Sequence, residues 1–448
     1  MKRILFVLLG LLPVLVTAQV SGDGCRLAEG RSPEGERMHC YVVHVVNNAY
    51  TLRIEAQAGS KLYFYRKSAA DREEVANASF ENNCFELNTP QLNCGYIVEK
   101  ASGLPDYYWF AQYESVPLPS EQLKVSYDEE VPCELIRVSA DTPFATWSCH
   151  TPQGVEKPLE RQFRISYTDM KYDEETHAFH EEQKEELLTP QQEYLTLYAP
   201  LADTSFKLLG DQYTELLGIG YPPLESNMLE AQRIELHALY TIEKSSADTL
   251  NNQSRVISAP VELTMQAFAN EPAAARYSWR IARGRNTGEE DASIIFRAEG
   301  AETSFIFTEM GSYTVMVEAI SRSAQCNASG EQYVIDIAAS RLEVPNAFSP
   351  FSSPGINDTF RVAHRSLVEF KGYIYNAWGN LLFTWDNPDE GWDATFNGKP
   401  VPTGAYYYVI IAKGADGVDY HLKGHVNILG SNMYGNDSTN PNEPNPVP

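Results

Sequence analysis

The chain has 448 residues, 43% of them hydrophobic and 11% aromatic, a length that accommodates two to four domains. Its 35 Lys+Arg stand against 60 Asp+Glu, a formal net charge of −25. Such a surface repels phosphate backbones and anionic head groups, which argues against nucleic-acid binding.

The first residues, MKRILFVLLGLLPVLVTAQ, place Lys2 and Arg3 before an apolar run from Ile4 to Val16 that ends in Val16-Thr17-Ala18. A basic start, a short apolar stretch and a small-residue end predict a signal peptide over residues 1–18, cleaved after Ala18. Loss of Lys2 and Arg3 moves the net charge from −25 to −27. The first cysteine, Cys25, follows too late for lipid attachment. No later stretch approaches the roughly 18 to 20 apolar residues of a membrane helix, so no transmembrane segment is expected.

The seven cysteines fit an oxidising compartment. Six fall into local pairs, and the simplest of their fifteen pairings is Cys25–Cys40, Cys84–Cys94 and Cys133–Cys149. Cys326 is left over and is expected as a buried thiol, because no histidine lies near it in sequence to activate it.

Strand signals follow in series: runs of four to eight residues rich in Val, Ile, Tyr, Phe and Thr, separated by Gly, Asn, Asp or Pro. The pattern is that of sandwiches, not of alternating strands and helices. A first β domain is read over 19–115, with HCYVVHVV and YTLRIEA joined at Asn47-Asn48 as a hairpin. The stretch SVPLPSEQ, Ser115 to Gln122, marks its end. A second β domain is read over 120–230 and carries an acidic insert, Tyr172 to Leu188, expected as a solvated loop or an exposed helix. Within it His177, His180 and Glu181 lack the spacing that sets two histidines on one helical face, so neither metal nor cofactor is expected.

A third domain is read over 232–340. Its Tyr277-Ser278-Trp279, Phe307 and Gly311-Ser312-Tyr313-Thr314-Val315 with Val317 resemble a PKD-type immunoglobulin-like domain. Trp279 would fill the space between two sheets, and Tyr313, Val315 and Val317 would alternate inward. The resemblance departs from the family where a Gly-Asp-Gly turn normally follows the tryptophan strand, since Ile281-Ala282-Arg283-Gly284 stands there.

The last domain, 344–430, carries the densest set of motifs. Pro345, Asn346 and Phe348 come first, then Asn357, Asp358 and Phe360, then Asn376, Trp378 and Gly379. Gly391, Trp392 and Asp393 follow, then Asn397, Gly398, Lys399, Pro402 and Gly404, and finally Lys423 and Gly424. In this order they resemble the gliding-motility-associated C-terminal domain, the type B sorting domain of Bacteroidetes proteins exported by the type IX secretion system.

The residues also predict structure directly. Trp378-Gly379-Asn380 and Asn397-Gly398 read as tight turns. In the strand Ala405 to Lys413, Tyr406, Tyr408 and Ile410 share one face while Tyr407, Val409 and Ile411 share the other. Where the family usually has an Asn-Gly-Asp-Gly loop, this chain has Phe351-Ser352-Ser353-Pro354-Gly355, without the carboxylate. A proline- and asparagine-rich tail, 431–448, is expected to be disordered.

No nucleophile elbow, phosphate loop, calcium loop or dinucleotide fingerprint is present, so an enzyme is not expected. The reading is an all-β chain of tandem β-sandwich, immunoglobulin-like domains ending in a β-sandwich sorting domain. The resemblance implies export to the cell surface or outer membrane, with outer-membrane components of the type IX machinery as partners and surface proteins or glycans as candidate ligands. Two roles stay open: an interaction or adhesion protein for which the last domain is an address, and a stable accessory subunit of the secretion or gliding machinery.

Overall fold

The computed structural model describes residues 20–245, 247–249, 257–285, 294–350 and 357–430. The expected signal peptide, the Phe351 to Gly355 loop and the tail at 431–448 lie outside the described residues. The chain is all-β in tandem sandwiches. Among the described residues its one α-helix is Gln212–Leu216. It divides into two units, 1–233 and 234–448.

The first unit is organised by a six-stranded sheet ordered Cys25–Gly30, Met38–Val45, Asp106–Gln112, Cys94–Glu99, Lys61–Tyr65 and Glu73–Glu74. Its central strands are apolar without alternation: Tyr108, Trp109, Phe110 and Ala111 are all buried, as expected of strands covered on both faces. One face sets Tyr41, Val43, Tyr96 and Phe110 against Leu52, Ile54 and Leu87 of a four-stranded sheet. The other sets Met38, Cys40, Val42 and Trp109 against Trp147, Cys149, Leu159 and Tyr213.

The Asn47-Asn48 step is not a hairpin. Met38–Val45 pairs inside the six-stranded sheet, whereas Thr51–Glu55 pairs with Val20–Asp23 and Cys84–Asn88, so the chain changes sheets there.

A further sandwich in this unit packs Val125, Ile136 and Leu197 against Phe163, Ile165 and Phe206. The acidic insert is neither loop nor helix, because it forms the second arm of a long hairpin in which Phe163–Asp173 pairs with Ala178–Leu188 through every rung. The first arm alternates buried and half-buried residues and supplies the hydrophobic face. The second has no such pattern, and its polar groups are satisfied across the ladder instead. Tyr167 Oη donates to Glu186 at 2.5 Å, and Lys184 meets Asp169 at 2.6 Å.

Where the two cores of this unit meet, Arg161 and Asp211 form an ion pair of 2.7 Å with both side chains fully buried. Arg161 also donates to the carbonyls of Val116 (3.0 Å) and Ala145 (3.2 Å) and lies over the Trp147 ring. Asp211 caps the helix, accepting from the Tyr213 N–H at 3.0 Å and from Thr214 Oγ1 at 2.9 Å.

The cysteines do not pair as expected. Cys25, Cys40, Cys84, Cys94 and Cys149 are free thiols, while Cys133 and Cys326 are disulfide-bonded. Cys25 lies opposite Val45 and Cys40 opposite Gly30 on adjacent strands. That offset is roughly 17 Å at about 3.4 Å per residue, whereas a bridge needs Cα atoms within about 7 Å. Cys84 alternates with the inward Phe85 and Leu87 of one sheet, and Cys94 is buried from the other. Cys149 is a free thiol in the apolar core that holds Cys40, while Cys133 is bonded elsewhere.

In the second unit, Trp279 is fully buried between two sheets with Val261, Leu263, Val315 and Val317, and its indole N–H donates to the Gly300 carbonyl at 3.0 Å. The strand Tyr333–Ile337 is followed after three residues by Arg341–Glu343 of the last sandwich. That sandwich's turn at Gly414 to Gly417 docks back, placing Ala415 in the Trp279 core. The Ala415 N–H donates to the Ser366 carbonyl at 2.9 Å, and the Met310 N–H to the Ala415 carbonyl at 2.9 Å. Asp416 accepts from the Ser340 hydroxyl at 2.6 Å and the Ser340 N–H at 3.0 Å. Burial opposes charge on Asp416, but the Ser340 hydroxyl and the N–H groups of Val418 and Ser340 outweigh it and hold the carboxyl below its usual range.

Removing one member of the buried pair, by Arg161→Met or Asp211→Asn, is expected to cost about 3–5 kcal/mol. The double replacement should cost clearly less than the sum, a coupling read by denaturant unfolding of all four proteins. At the other junction, a depressed folded pKa means that the Asp416 contribution is present above the ordinary carboxylate pKa and is lost as pH falls through the folded value. The Tm difference between wild type and Asp416→Asn is therefore expected in full at neutral pH and should shrink as pH falls below about 4, through the depressed folded pKa.

Candidate docking face of the C-terminal domain

The last sandwich is built on a sheet ordered Ala347–Phe348, Asp419–Ile428, Gly404–Gly414, Leu367–Tyr375 and Leu381–Trp385. Its inner face carries Phe370, Ile374, Trp385, Tyr406, Ile410 and Val426, closed over by Phe348, Phe360 and Trp392.

Most of the motif residues turn out to hold this core. Phe360 and Trp392 exchange backbone hydrogen bonds of 2.8 and 3.0 Å, and the Trp392 indole donates to the Thr395 carbonyl at 2.9 Å. Gly391 permits that contact, since a Cβ there would stand 2.5 Å from the Phe360 carbonyl oxygen. Phe348 packs against both rings. Asp393 accepts from the N–H and hydroxyl of Thr395 at 3.0 and 2.8 Å. The Asn346 carbonyl accepts from the Asn427 N–H at 2.9 Å, and the Asn357 carbonyl from the Ser349 N–H at 2.7 Å. Asp358 accepts from the Thr359 hydroxyl at 3.4 Å. The half-buried Pro345 leads into the Ala347–Phe348 strand.

The turns use the remaining positions. Asn376 Oδ1 accepts from the N–H groups of Trp378 (3.0 Å) and Asn380 (2.9 Å), with Gly379 at φ 82°. Asn397 (φ 49°) and Gly398 (φ 73°) link Thr395–Phe396 to Lys399–Pro400. The Pro402 carbonyl accepts from the Tyr406 hydroxyl at 2.9 Å, and Gly404 opens the long strand. Gly424 lies opposite Tyr408, whose hydroxyl would come within 2.4 Å of a Cβ at that position.

The outer face of the same sheet is different. Tyr375 stands opposite Tyr407, Tyr373 opposite Val409, and Lys371 opposite Ile411. On the next strand His425, Lys423 and His421 continue these three rows. Tyr373 and Tyr375 stack at 6.4 Å, while Tyr407 and Ile411 are exposed. Beyond the Tyr375 end of the sheet, Trp378 is 84% exposed at its turn tip. Aromatic residues next to a concentration of lysine and histidine on a chain of net charge −25 form a surface suited to an aromatic-anchored, anionic partner. The motif order identified the domain, and its exposed members with long side chains are Trp378, Lys399 and Lys423, whereas Asn346, Asn357, Asp393, Asn397 and Pro402 are exposed in loops and turns. Tyr373 and Tyr407 lay outside the motif, and Tyr375 opened one of its segments. Strand alternation at Tyr407 was the one signal in sequence that pointed to this face.

His177 and His180, whose spacing spoke against a metal site, make hydrogen bonds within their own hairpin. His177 is hydrogen-bonded to the Tyr172 hydroxyl at 2.9 Å and His180 to the Thr176 hydroxyl at 3.3 Å, both in the hairpin turn region. Among the described residues no group of three or more His, Cys, Asp and Glu is arranged to hold a metal ion.

Comparison with known families matches residues 342–428 to the CHU_C type IX secretion signal domain and residues 124–226 to a fibronectin type III domain. The fibronectin match falls upstream of the Trp279 region, whose motifs resemble a PKD-type domain. No curated protein matches the chain. Among solved structures, a tetra-tandem repeat from the extending region of a large adhesion protein aligns at 10% identity, covering 88% of this chain and 100% of that one, with a TM-score of 0.18. A Ca2+-stabilised ice-binding adhesin of an Antarctic bacterium aligns at 8% identity over 91% and 99%, with a TM-score of 0.20. Latent PorU from Porphyromonas gingivalis aligns at 9% identity over 72% of this chain and 35% of its own, with a TM-score of 0.15. The C-terminal domain is thus a type IX secretion signal domain, and the protein is exported by that route.

Trp392→Ala, which empties the centre of the core, is expected to destabilise the protein by about 3–5 kcal/mol. Trp378→Ala should leave stability within about 0.5 kcal/mol of wild type. Thermal unfolding of the two variants checks the division between core and face.

Proposed function

We propose that this protein is a non-enzymatic interaction protein of the cell surface, delivered by the type IX machinery through residues 344–430. The domains before residue 340 serve as stalk and binding head. The observation that carries the reading is the secretion signal domain at 342–428, joined to upstream sandwiches of which 124–226 is of fibronectin type III class, a class of spacers and binding modules. We place the contact with outer-membrane export components on the aromatic and basic face around Trp378, Tyr407 and Lys423.

A second reading, a retained subunit of the export or gliding apparatus, is favoured by the junction. Only residues 338–340 separate the strand Tyr333–Ile337 from Arg341–Glu343, and across it Ser340 is hydrogen-bonded to Asp416 and Ser366 to Ser258 and Ala259. Such a connection offers a processing protease little exposed, flexible chain.

Deleting residues 344–448 is expected to leave the protein inside the cell, and arrival of the truncated chain at the surface would refute the sorting role. The triple variant Trp378→Ala, Tyr407→Ala, Lys423→Glu is expected to fold normally and lose co-purification with outer-membrane export components. Unchanged co-purification would remove the face from the proposal. Gene deletion separates the two readings: other exported proteins should still reach the surface if this one is cargo, and should be retained if it is a subunit.

A further inference from the structure

Cys40 and Cys149 come from different sheets, on strands Met38–Val45 and Trp147–His150, and both are fully buried in one apolar core. Each thiol acts on the other, Cys149 raising the Cys40 thiol and Cys40 lowering that of Cys149. The neighbours fix this approach. The Tyr65 hydroxyl lies 3.5 Å from Met38 Sδ and 3.1 Å from the His150 carbonyl oxygen. Met38 shares a strand face with Cys40, and His150 follows Cys149, so one phenol spans both chains. The His150 ring also packs at 5.9 Å from that of Trp109, the cross-strand partner of Cys40.

We propose that Cys40 and Cys149 are joined as a disulfide in the exported protein, stapling the six-stranded sheet to the hairpin of Trp147–His150 and Glu156–Leu159. A protein of the type IX route passes through the periplasm, where thiols at this approach are oxidised. The oxidant is a disulfide, supplied by a thiol–disulfide oxidoreductase or, in vitro, by oxidised glutathione. A Cys149 thiolate attacks one sulfur of that disulfide, forming a mixed disulfide and releasing one thiol. Cys40 then attacks the Cys149 sulfur and releases the second. The dithiol gives up two electrons and two protons, and the incoming disulfide is reduced to two thiols. The order follows from the surroundings: the neighbouring Cys149 and burial push the Cys40 thiol up, whereas Cys40 and the Lys157 ammonium push Cys149 down. Because both sulfurs are sealed in the folded core, the exchange takes place while the chain folds.

The full chain, refolded in a glutathione redox mixture, is alkylated under denaturing conditions, digested and mapped by mass spectrometry without reduction. The expected result is a peptide pair linked through Cys40 and Cys149. Alkylation of both in oxidised, folded protein, or linkage of either to another cysteine, overturns the proposal. In the Cys40→Ala chain Cys149 should become alkylable, and the Tm should fall about 5–10 °C below that of the oxidised wild type. That gap should shrink when reductant is present. A gap unchanged by reductant assigns the loss to packing alone and also overturns the proposal.

Discussion

A β-sheet that is apolar on both faces must be covered twice, and the six-stranded sheet of the first unit imposes that requirement on everything around it. With Tyr108, Trp109, Phe110 and Ala111 all buried in succession, a lone sandwich would leave Trp109, Cys40 and Val42 in water. The hairpin carrying Trp147 and Leu159 and the short helix carrying Tyr213 close that side. The Arg161–Asp211 pair lies where this cover meets the following sandwich. Such a pair adds little net stability compared with apolar packing, but its fork of donors to Asp211, Val116 and Ala145 admits few alternative arrangements. Its contribution is therefore best understood as orientation of the elements that cover the sheet.

The second unit solves the joining of domains by other means. There the tight turn at Ala415 enters the core of the preceding sandwich, and the contacts are mostly backbone hydrogen bonds with Ser340, Ser366 and Asp416 as the polar side chains. Backbone groups held this way need partners once buried, so the junction is specified by geometry more than by side-chain identity. A secretion signal mounted so firmly presents its outer sheet face in a fixed orientation to whatever receives it.

The strands of the last domain were legible because its turns have obligate chemistry. Asn397-Gly398 and Trp378-Gly379 take positive φ at glycine, and the alternation from Tyr406 to Ile411 follows directly from the pleat. The acidic arm Ala178–Leu188 was not legible as a strand, because charged residues such as Glu182, Lys184 and Glu186 carry no apolar period. Its conformation is dictated by the partner arm. The Asn47-Asn48 crossing was missed for a related reason: a turn dipeptide reports a reversal but not which sheet receives the next strand. The local cysteine pairings failed because proximity in sequence says nothing about register, and Cys25 and Cys40 share adjacent strands at opposite ends of their ladder.

The same contrast governs how the candidate face should be read. Many residues recognisable by motif are ones whose backbone or ring must fit one place: Gly391 under the Phe360 carbonyl, Trp392 in the core, Gly424 opposite Tyr408. These three identify the domain through its fold, whereas Trp378 and Lys423 are motif residues on the surface. The side chains that the fold leaves free on this sheet, and on which the proposed contact rests, are the rows of Tyr375 with Tyr407, Val409 with Lys423, and Ile411 with His421. A surface of this kind tolerates substitution without loss of fold, so its character can differ between proteins that share the same sorting motifs, and specificity for one receiving component over another can reside there.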